Sequence, residues 1–431
     1  MLKGTWLTYS SLLQVVVACS LAFHGASLAE GNPLQSRELN SGALSRDGHP
    51  ILKMQFHPVG IPEPGEKTVL QAVASVDGLK LFAAGSYFHK GVHPLVERLA
   101  GNKFDVMPIK MPTNPSSWAS FFGISADREG DAWAVGSYQP GWTSGVWKVL
   151  IMHYDGRQFK FIPAPSPGKA AALFSVVAIN PDNAWAVGGY FQHGVGYMTL
   201  QFESTNHLLI EHWNGSNWKV VNVSNPGHGQ WNGGTNVLAF VSASSPSDVW
   251  AVGHYFNDLV SRNLCLRFDG LSWKEVKTPN IGNGINALFG VAATGKKNIW
   301  TVGTYTRRRL RKSLVLHFNG LKWAKVITVD IPHVNNLLFG INGDLRRGVW
   351  AVGTYFNRNH TGGGPLIERL MGRRFESMPV RKVGSSDYRD VLYEMTTCQQ
   401  NYFAVGEFYN KVAHRAMIER SSLKRGSPNQ Y

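Results

Sequence analysis

The sequence predicts an all-β fold, a seven-bladed β-propeller with four-stranded blades whose ring is closed by an N-terminal strand pairing in the last blade. Three observations carry this reading. A block of the form Trp-Ala-Val-Gly-x-Tyr recurs through the 431 residues, anchored by Gly85, Gly136, Gly188, Gly253, Gly303, Gly353 and Gly406 at intervals of 51, 52, 65, 50, 50 and 53. A period of about 50 residues with room for four short strands is the signature of a propeller blade. The seventh copy ends at Met417-Ile418-Glu419-Arg420 without an outer strand, whereas a surplus strand, Ile51-Leu52-Lys53-Met54-Gln55-Phe56, precedes the first copy. Placing residues 50–58 at the outer edge of the last blade removes an open edge that would otherwise recruit another chain.

In chain order, residues 1–29 read as a signal peptide, with one cation at Lys3, an apolar run from Leu12 to Phe23 and small residues to Ala29. The run is too short to cross a bilayer, and no later window approaches the roughly 20 residues a spanning helix needs. The chain is therefore expected to be secreted or held at the cell surface. Val16-Val17-Ala18-Cys19 also fits a lipobox, which would anchor the mature chain by a lipid on Cys19. Residues 30–48 read as a flexible leader, 49–425 as a single propeller and 426–431 as a tail. Blades are expected at about 66–112, 113–166, 167–227, 228–281, 282–332, 333–383 and 384–421, the last completed by residues 50–58. Three Cys in the whole chain exclude a disulfide-built scaffold.

Every repeat follows one grammar. An apolar inner segment, such as Asn286-Ala287-Leu288-Phe289-Gly290-Val291, precedes the Trp-Ala-Val-Gly block. After a polar loop comes an alternating segment such as Leu209-Ile210-Glu211-His212-Trp213, then an aromatic-led outer segment such as Trp218-Lys219-Val220. Asp155-Gly156, Asn214-Gly215, Asp269-Gly270 and Asn319-Gly320 join the last two, because these residue types tolerate the positive φ of tight turns.

The Trp-Ala-Val-Gly blocks, with Leu209-Ile210-Glu211-His212-Trp213-Asn214-Gly215 and Trp218 downstream, resemble the repeats of secreted bacterial propeller proteins related to the kelch and galactose-oxidase superfamily. The likeness runs over about residues 50–421; the diglycine usual in kelch repeats is present in the third repeat alone, as Gly188-Gly189. The resemblance implies architecture and export rather than an activity.

Most of the 14 Trp recur at fixed repeat positions and read as packing between blades. Four do not: Trp118, Trp142, Trp147 and Trp231 fall in connections expected on one rim, where flat apolar rings suit stacking on sugars. The charge is equally uneven. Residues 1–285 hold 20 cations and 19 acids (20 − 19 = +1), whereas 286–431 hold 23 and 9 (23 − 9 = +14). Arg307, Arg308, Arg309, Arg311 and Lys312 form the densest cluster, in a loop of the same rim, with Arg381, Lys382, Arg389 and Lys411 in neighbouring loops. Such a one-sided field attracts polyanions: acidic glycans or surface polymers first, nucleic acid less so. The residue after the third-strand apolar run is basic in every repeat (Arg98, His153, His212, Arg267, His317, Arg369, Arg420), which marks a shared structural role, as do Glu97, Glu211, Glu368 and Glu419.

Catalysis finds weaker support. Positions expected to ring the channel entrance read Thr68, Ala119, Ala171, Asn236, Asn286, Asn336 and Asp390, a hydrogen-bonding ring rather than an acid–base pair. The weak catalytic candidates are Asp387, Asp390 and Glu407, since glycoside hydrolysis needs two converging carboxylates. His89, His93, His193, His228, His254 and His333 show no metal-ligand spacing, and no phosphate loop or nucleophile elbow occurs, so no metal and no cofactor are expected. The expected function is binding of a glycan or anionic surface polymer by a monomeric exported module. The alternatives are a polysaccharide hydrolase or lyase, and a scaffold for a protein partner.

Overall fold

The structure, a computed structural model, describes residues 54–423 except 77, 113–117, 128–129, 142–144, 193–205, 228–234, 258–259, 345–346, 359–361, 381, 385–388 and 411. The expected signal peptide, leader and Cys19, together with Trp142, Trp231, Arg381, Asp387 and Lys411, lie outside the described residues. The chain is an all-β propeller. The repeats fold as antiparallel meanders, from Lys67–Val76, Lys80–Phe88, Val92–Ala100 and Lys103–Val106 in the first to Val391–Cys398, Asn401–Tyr409 and His414–Leu423 in the last.

Among the described residues, continuous hydrogen bonding joins the strands into six sheets rather than the expected seven: four of four strands, one of five and one of eight. The reason is local. The third strand of repeat one meets the inner strand of repeat two in a parallel pair, Val92 opposite Trp118, which merges two meanders. The short strand Ile327–Thr328, leaving repeat five, pairs parallel with Arg374–Phe375 of repeat six and adds a fifth strand there.

The glycine of each Trp-Ala-Val-Gly block answers a feature of the inner strand. All seven inner strands carry a register shift of one residue, at Gln71, Phe122, Phe174, Ala239, Phe289, Phe339 and Tyr393. Such a bulge bends the strand and pushes a carbonyl toward its partner. A Cβ on Gly85, Gly136, Gly188, Gly253, Gly303, Gly353 or Gly406 would lie 1.8–2.0 Å from that inner-strand carbonyl oxygen, so only glycine fits. Amides freed by the bulges find side chains of the preceding repeat. Val241 N donates to Ser175 Oγ at 3.2 Å and, across the seam, Val73 N donates to Glu394 Oε2 at 3.0 Å.

The bulged side chains gather about the ring axis. Phe122 and Phe174 lie 5.7 Å apart, Phe289 and Phe339 5.4 Å, and Phe339 and Tyr393 5.9 Å, all from neighbouring inner strands. They pack inner strand against inner strand in apolar clusters.

The ring closes through Met54–Pro58, antiparallel to His414–Leu423 with Met54 opposite Leu423 and Pro58 opposite Glu419. The seam is also apolar, since Leu70, Val73, Leu81 and Leu95 pack with Phe403, Val405 and Ile418. Cys265 and Cys398 are buried free thiols.

Candidate functional site

Two kinds of connection converge on one rim. The segment entering each inner strand touches the end of the second strand: Glu66 N donates to Phe88 O at 2.8 Å, Lys169 N to Phe191 O at 2.9 Å, and Thr306 N to Ile285 O at 2.8 Å. The hairpins between second and third strands emerge at the same place, as where Arg307 pairs with Leu310.

Of the four unexplained tryptophans, the described residues include two, both half-buried. Trp118 opens its inner strand opposite Gln139 and bridges to Val92. Trp147 N donates to Lys169 O at 2.9 Å and its own carbonyl accepts from Ala171 N at 3.1 Å, a parallel bridge to the next repeat. Their backbones stitch neighbouring repeats, and each residue keeps part of its surface open to solvent.

The structure places the expected amide ring in hydrogen bonds of the fold itself. Asn236, Asn286 and Asn336 are fully buried, and each holds the connection that enters its own strand. Asn236 Oδ1 accepts from Gly227 N at 2.7 Å; Asn286 Oδ1 accepts from Ile281 N at 2.9 Å and Gly282 N at 3.0 Å; Asn336 Oδ1 accepts from Ile331 N at 3.0 Å while its Nδ2 donates back to Ile331 O at 3.0 Å. A chain turning from the outer edge to the axis leaves amides and carbonyls without ladder partners, and a primary amide satisfies both kinds at once. These side chains build the rim by holding the connections that enter their strands. Asp390 plays the same part. Its Oδ2 accepts from Val383 N at 2.8 Å and Gly384 N at 2.9 Å, while burial pushes its carboxyl above the ordinary range.

Glu407 is placed differently. Tyr393 Oη donates to its Oε1 at 2.6 Å, and His414 Nδ1 lies 3.0 Å from its Oε2. Burial pushes the Glu407 carboxyl up, but the bonds from His414 and Tyr393 and the charge of Arg389 outweigh it and leave the group below its ordinary value. Burial pulls His414 down, yet its bond to Glu407 leaves the ring above the ordinary imidazole value. Glu407 and Asp390 thus have different partners, a histidine and a tyrosine for the first and backbone amides for the second.

The basic cluster divides. Arg307, Arg308 and Arg309 are exposed at the tip of a two-residue hairpin in which Arg307 pairs with Leu310. Arg308 and Arg309 occupy the turn with φ of 51° and 63°, the left-handed region that favours Asn-Gly. Arg311 and Lys312, which follow in the third strand, are half-buried; Lys312 Nζ lies 3.7 Å from Asp330 Oδ2. Burial first, and then the charge of Arg389, bring the Arg311 guanidinium down to about 10. Arg389 lies over the Phe356 ring with its Cζ 5.0 Å from the centroid. His254, on the second strand of repeat four, is fully buried and stands edge-on to Phe289 at 6.2 Å. Burial, reinforced by the charge of Arg311, lowers it to about 4, so it is neutral.

The recurrent basic residue has a structural explanation that its spacing alone did not supply. It lies directly opposite the block's aromatic: His212 stacks on Trp185 at 4.1 Å, His317 on Trp300 at 4.0 Å, and Arg267 and Arg369 lie over Trp250 and Trp350 at 5.0 and 4.9 Å. A polar residue two before the tryptophan completes the set, as His317 Nε2 meets Asn298 Oδ1 at 2.7 Å and Arg267 Nε donates to Asp248 Oδ1 at 2.7 Å. The signal Asn/Asp-x-Trp stands in the sequence at Asp131, Asn183, Asp248 and Asn298, and marks a fold element rather than a ligand site.

No protein-family model matches the chain, and no curated protein sequence matches it. Solved structures similar to it include YCF48 from Cyanidioschyzon merolae (16% identity, TM-score 0.49, covering 85% of this chain and 98% of that one). Others are a lectin from Aleuria aurantia in complex with a fucosylated N-acetylglucosamine (11%, 0.42, 75% and 99%) and an α-L-arabinofuranosidase from Fusarium graminearum (9%, 0.45, 84% and 96%).

Proposed function

We propose that this chain is an exported binding module, a ring of seven blades of the Trp-Ala-Val-Gly repeat kind, that holds an acidic glycan or other anionic surface polymer on the rim around the channel mouth. One observation carries the reading: two arginines sit at the tip of the Arg307–Leu310 hairpin in left-handed backbone. L-residues with a Cβ lose roughly 1 kcal/mol each in that conformation, and Asn-Gly would make the turn without strain. Backbone strain retained at an exposed cationic tip is what a contact with phosphate, sulfate or carboxylate groups would favour. The half-open rings of Trp118 and Trp147 on the same rim offer faces for sugars.

The double variant Arg308→Asn with Arg309→Gly tests this directly. Relieving the turn should stabilise the fold by about 1 kcal/mol in a denaturant titration, and should weaken binding to a polyuronate and flatten its salt dependence. A double variant that is more stable and binds as before would remove the hairpin from the site.

A further inference from the structure

We propose that the face of the ring opposite the rim docks on an anionic lipid bilayer, with Leu79, Leu271 and Leu321 entering the headgroup region and exposed cations beside them meeting the lipid charge. This does not rest on the rim being a binding face. Each leucine stands in a turn of the opposite face: Leu79 between the first and second strands of repeat one, Leu271 and Leu321 between the third and outer strands of repeats four and five. They are 63%, 91% and 89% exposed, and no other leucine among the described residues is exposed.

The turns do not require leucine. Asp269 Oδ1 accepts from Leu271 N and Ser272 N, and Asn319 Oδ1 accepts from Leu321 N and Lys322 N, all at 3.0 Å. The same turn in repeats two and three is held in the same way with Arg157 and Ser216 at the tip, so a polar side chain serves the fold equally well. A large apolar group kept in water gains no packing there and marks a contact with something else. The two tips are firmly based. Phe268 and Trp273 flank the first turn and lie 4.8 and 5.2 Å from Trp185 of repeat three, while Phe318 and Trp323 flank the second and lie 5.3 and 5.8 Å from Trp250 of repeat four. The turns therefore stand alike, one repeat apart. The third tip is tied to the last repeat, where Gln399 N donates to Gly78 O at 2.8 Å and Gln399 Nε2 to Leu79 O at 3.0 Å.

Charge surrounds these tips. Lys80 follows Leu79 and Lys322 follows Leu321, and both are exposed. Lys297, also exposed, lies against the Leu321 turn, since a Cβ on Gly320 would come within 2.6 Å of its Cγ. Lys296 and Arg373 are exposed in neighbouring turns of repeats five and six. None of these five cations has an ion pair among the described residues, whereas Asp269 is paired with Lys274 at 2.6 Å and Glu376 with Arg374 at 2.7 Å. Apolar tips among unpaired cations select the partner. A soluble polyanion would meet the charges and leave the leucines in water, and a second copy of this face would bring like charges together. An anionic bilayer meets both, because its interface takes up apolar side chains and its surface potential attracts lysine and arginine. Tips spread over repeats one, four and five also suit a flat, extended partner.

Flotation of the full chain with vesicles of phosphatidylcholine alone, or of phosphatidylcholine mixed with phosphatidylglycerol, tests the docking. Binding to the mixed vesicles is expected, and it should fall with added salt. Leu271→Ser with Leu321→Ser should weaken it about ten-fold and leave the melting temperature in place, as the serine of repeat three implies. Lys297→Glu with Lys322→Glu should erase the preference for the mixed vesicles. The rim variant Arg308→Asn with Arg309→Gly should float as the unaltered chain does. Absence of the unaltered chain from both vesicles would overturn the docking, as would undiminished binding by the leucine variant. Loss of binding in the rim variant would also overturn it and move the lipid contact to the rim. A dimer on size-exclusion chromatography that the leucine variant turns into monomer would overturn it in favour of a second copy of this chain.

Discussion

Replacing Gly303 by alanine would drive a methyl group to 1.9 Å from the carbonyl oxygen of Ala287, which the bulge at Phe289 holds in place. Destabilisation of about 3 kcal/mol is expected. Gly295→Ala, where nothing lies within 4 Å of the added carbon, should stay within about 0.5 kcal/mol, both read from denaturant midpoints. The sequence displays these seven glycines plainly, but their cause is hidden, because a bulge depends on how two strands register and not on residue types. His317→Ala removes a ring stacked on Trp300 at 4.0 Å and the partner of Asn298, and should lower stability by about 1–2 kcal/mol. A ligand-binding role for His317 would instead show as lost affinity with stability unchanged.

At the scale of elements, the turns and inner segments were legible and the rim was only half so. Asp155-Gly156, Asn214-Gly215, Asp269-Gly270 and Asn319-Gly320 all form tight turns with glycine at φ between 86° and 94°. Asn236, Asn286 and Asn336 carry a structural role that their spacing did not show, for a physical reason. Their spacing places them correctly at the axis end of each inner strand, but the entering connection, whose amides need partners, lies over them and takes up their hydrogen bonds. The Arg307–Lys312 cluster likewise reads as one patch in sequence. The hairpin divides it into an exposed tip, Arg307 to Arg309, and the half-buried Arg311 and Lys312 of the returning strand, a division that only the turn position reveals.

For the whole molecule, closure and buried acids set stability. Removing Met54–Pro58 would expose the backbone of His414–Leu423, and should lower the melting temperature and yield higher oligomers on size-exclusion chromatography. Glu97, Glu211, Glu368 and Glu419 are fully buried, and burial raises each from 4.5 to about 8. The folded chain thus keeps protons that the unfolded chain releases near pH 4.5, so this contribution is full below that pH and is lost as pH rises through about 8. The melting temperature should fall between pH 6 and pH 9, and Glu97→Gln should blunt the fall; a melting temperature that rises over this window would contradict the burial.

The proposed function depends on which face of the ring meets the ligand. Hydrogen–deuterium exchange with and without a polygalacturonate reads this most directly. Protection is expected in the Arg307–Leu310 hairpin and the connections around residues 278–286, 329–336 and 389–391, with none at the Asp269–Ser272 and Asn319–Lys322 turns of the opposite face. Protection confined to those turns, or absent from the hairpin, would contradict a ligand held on the rim.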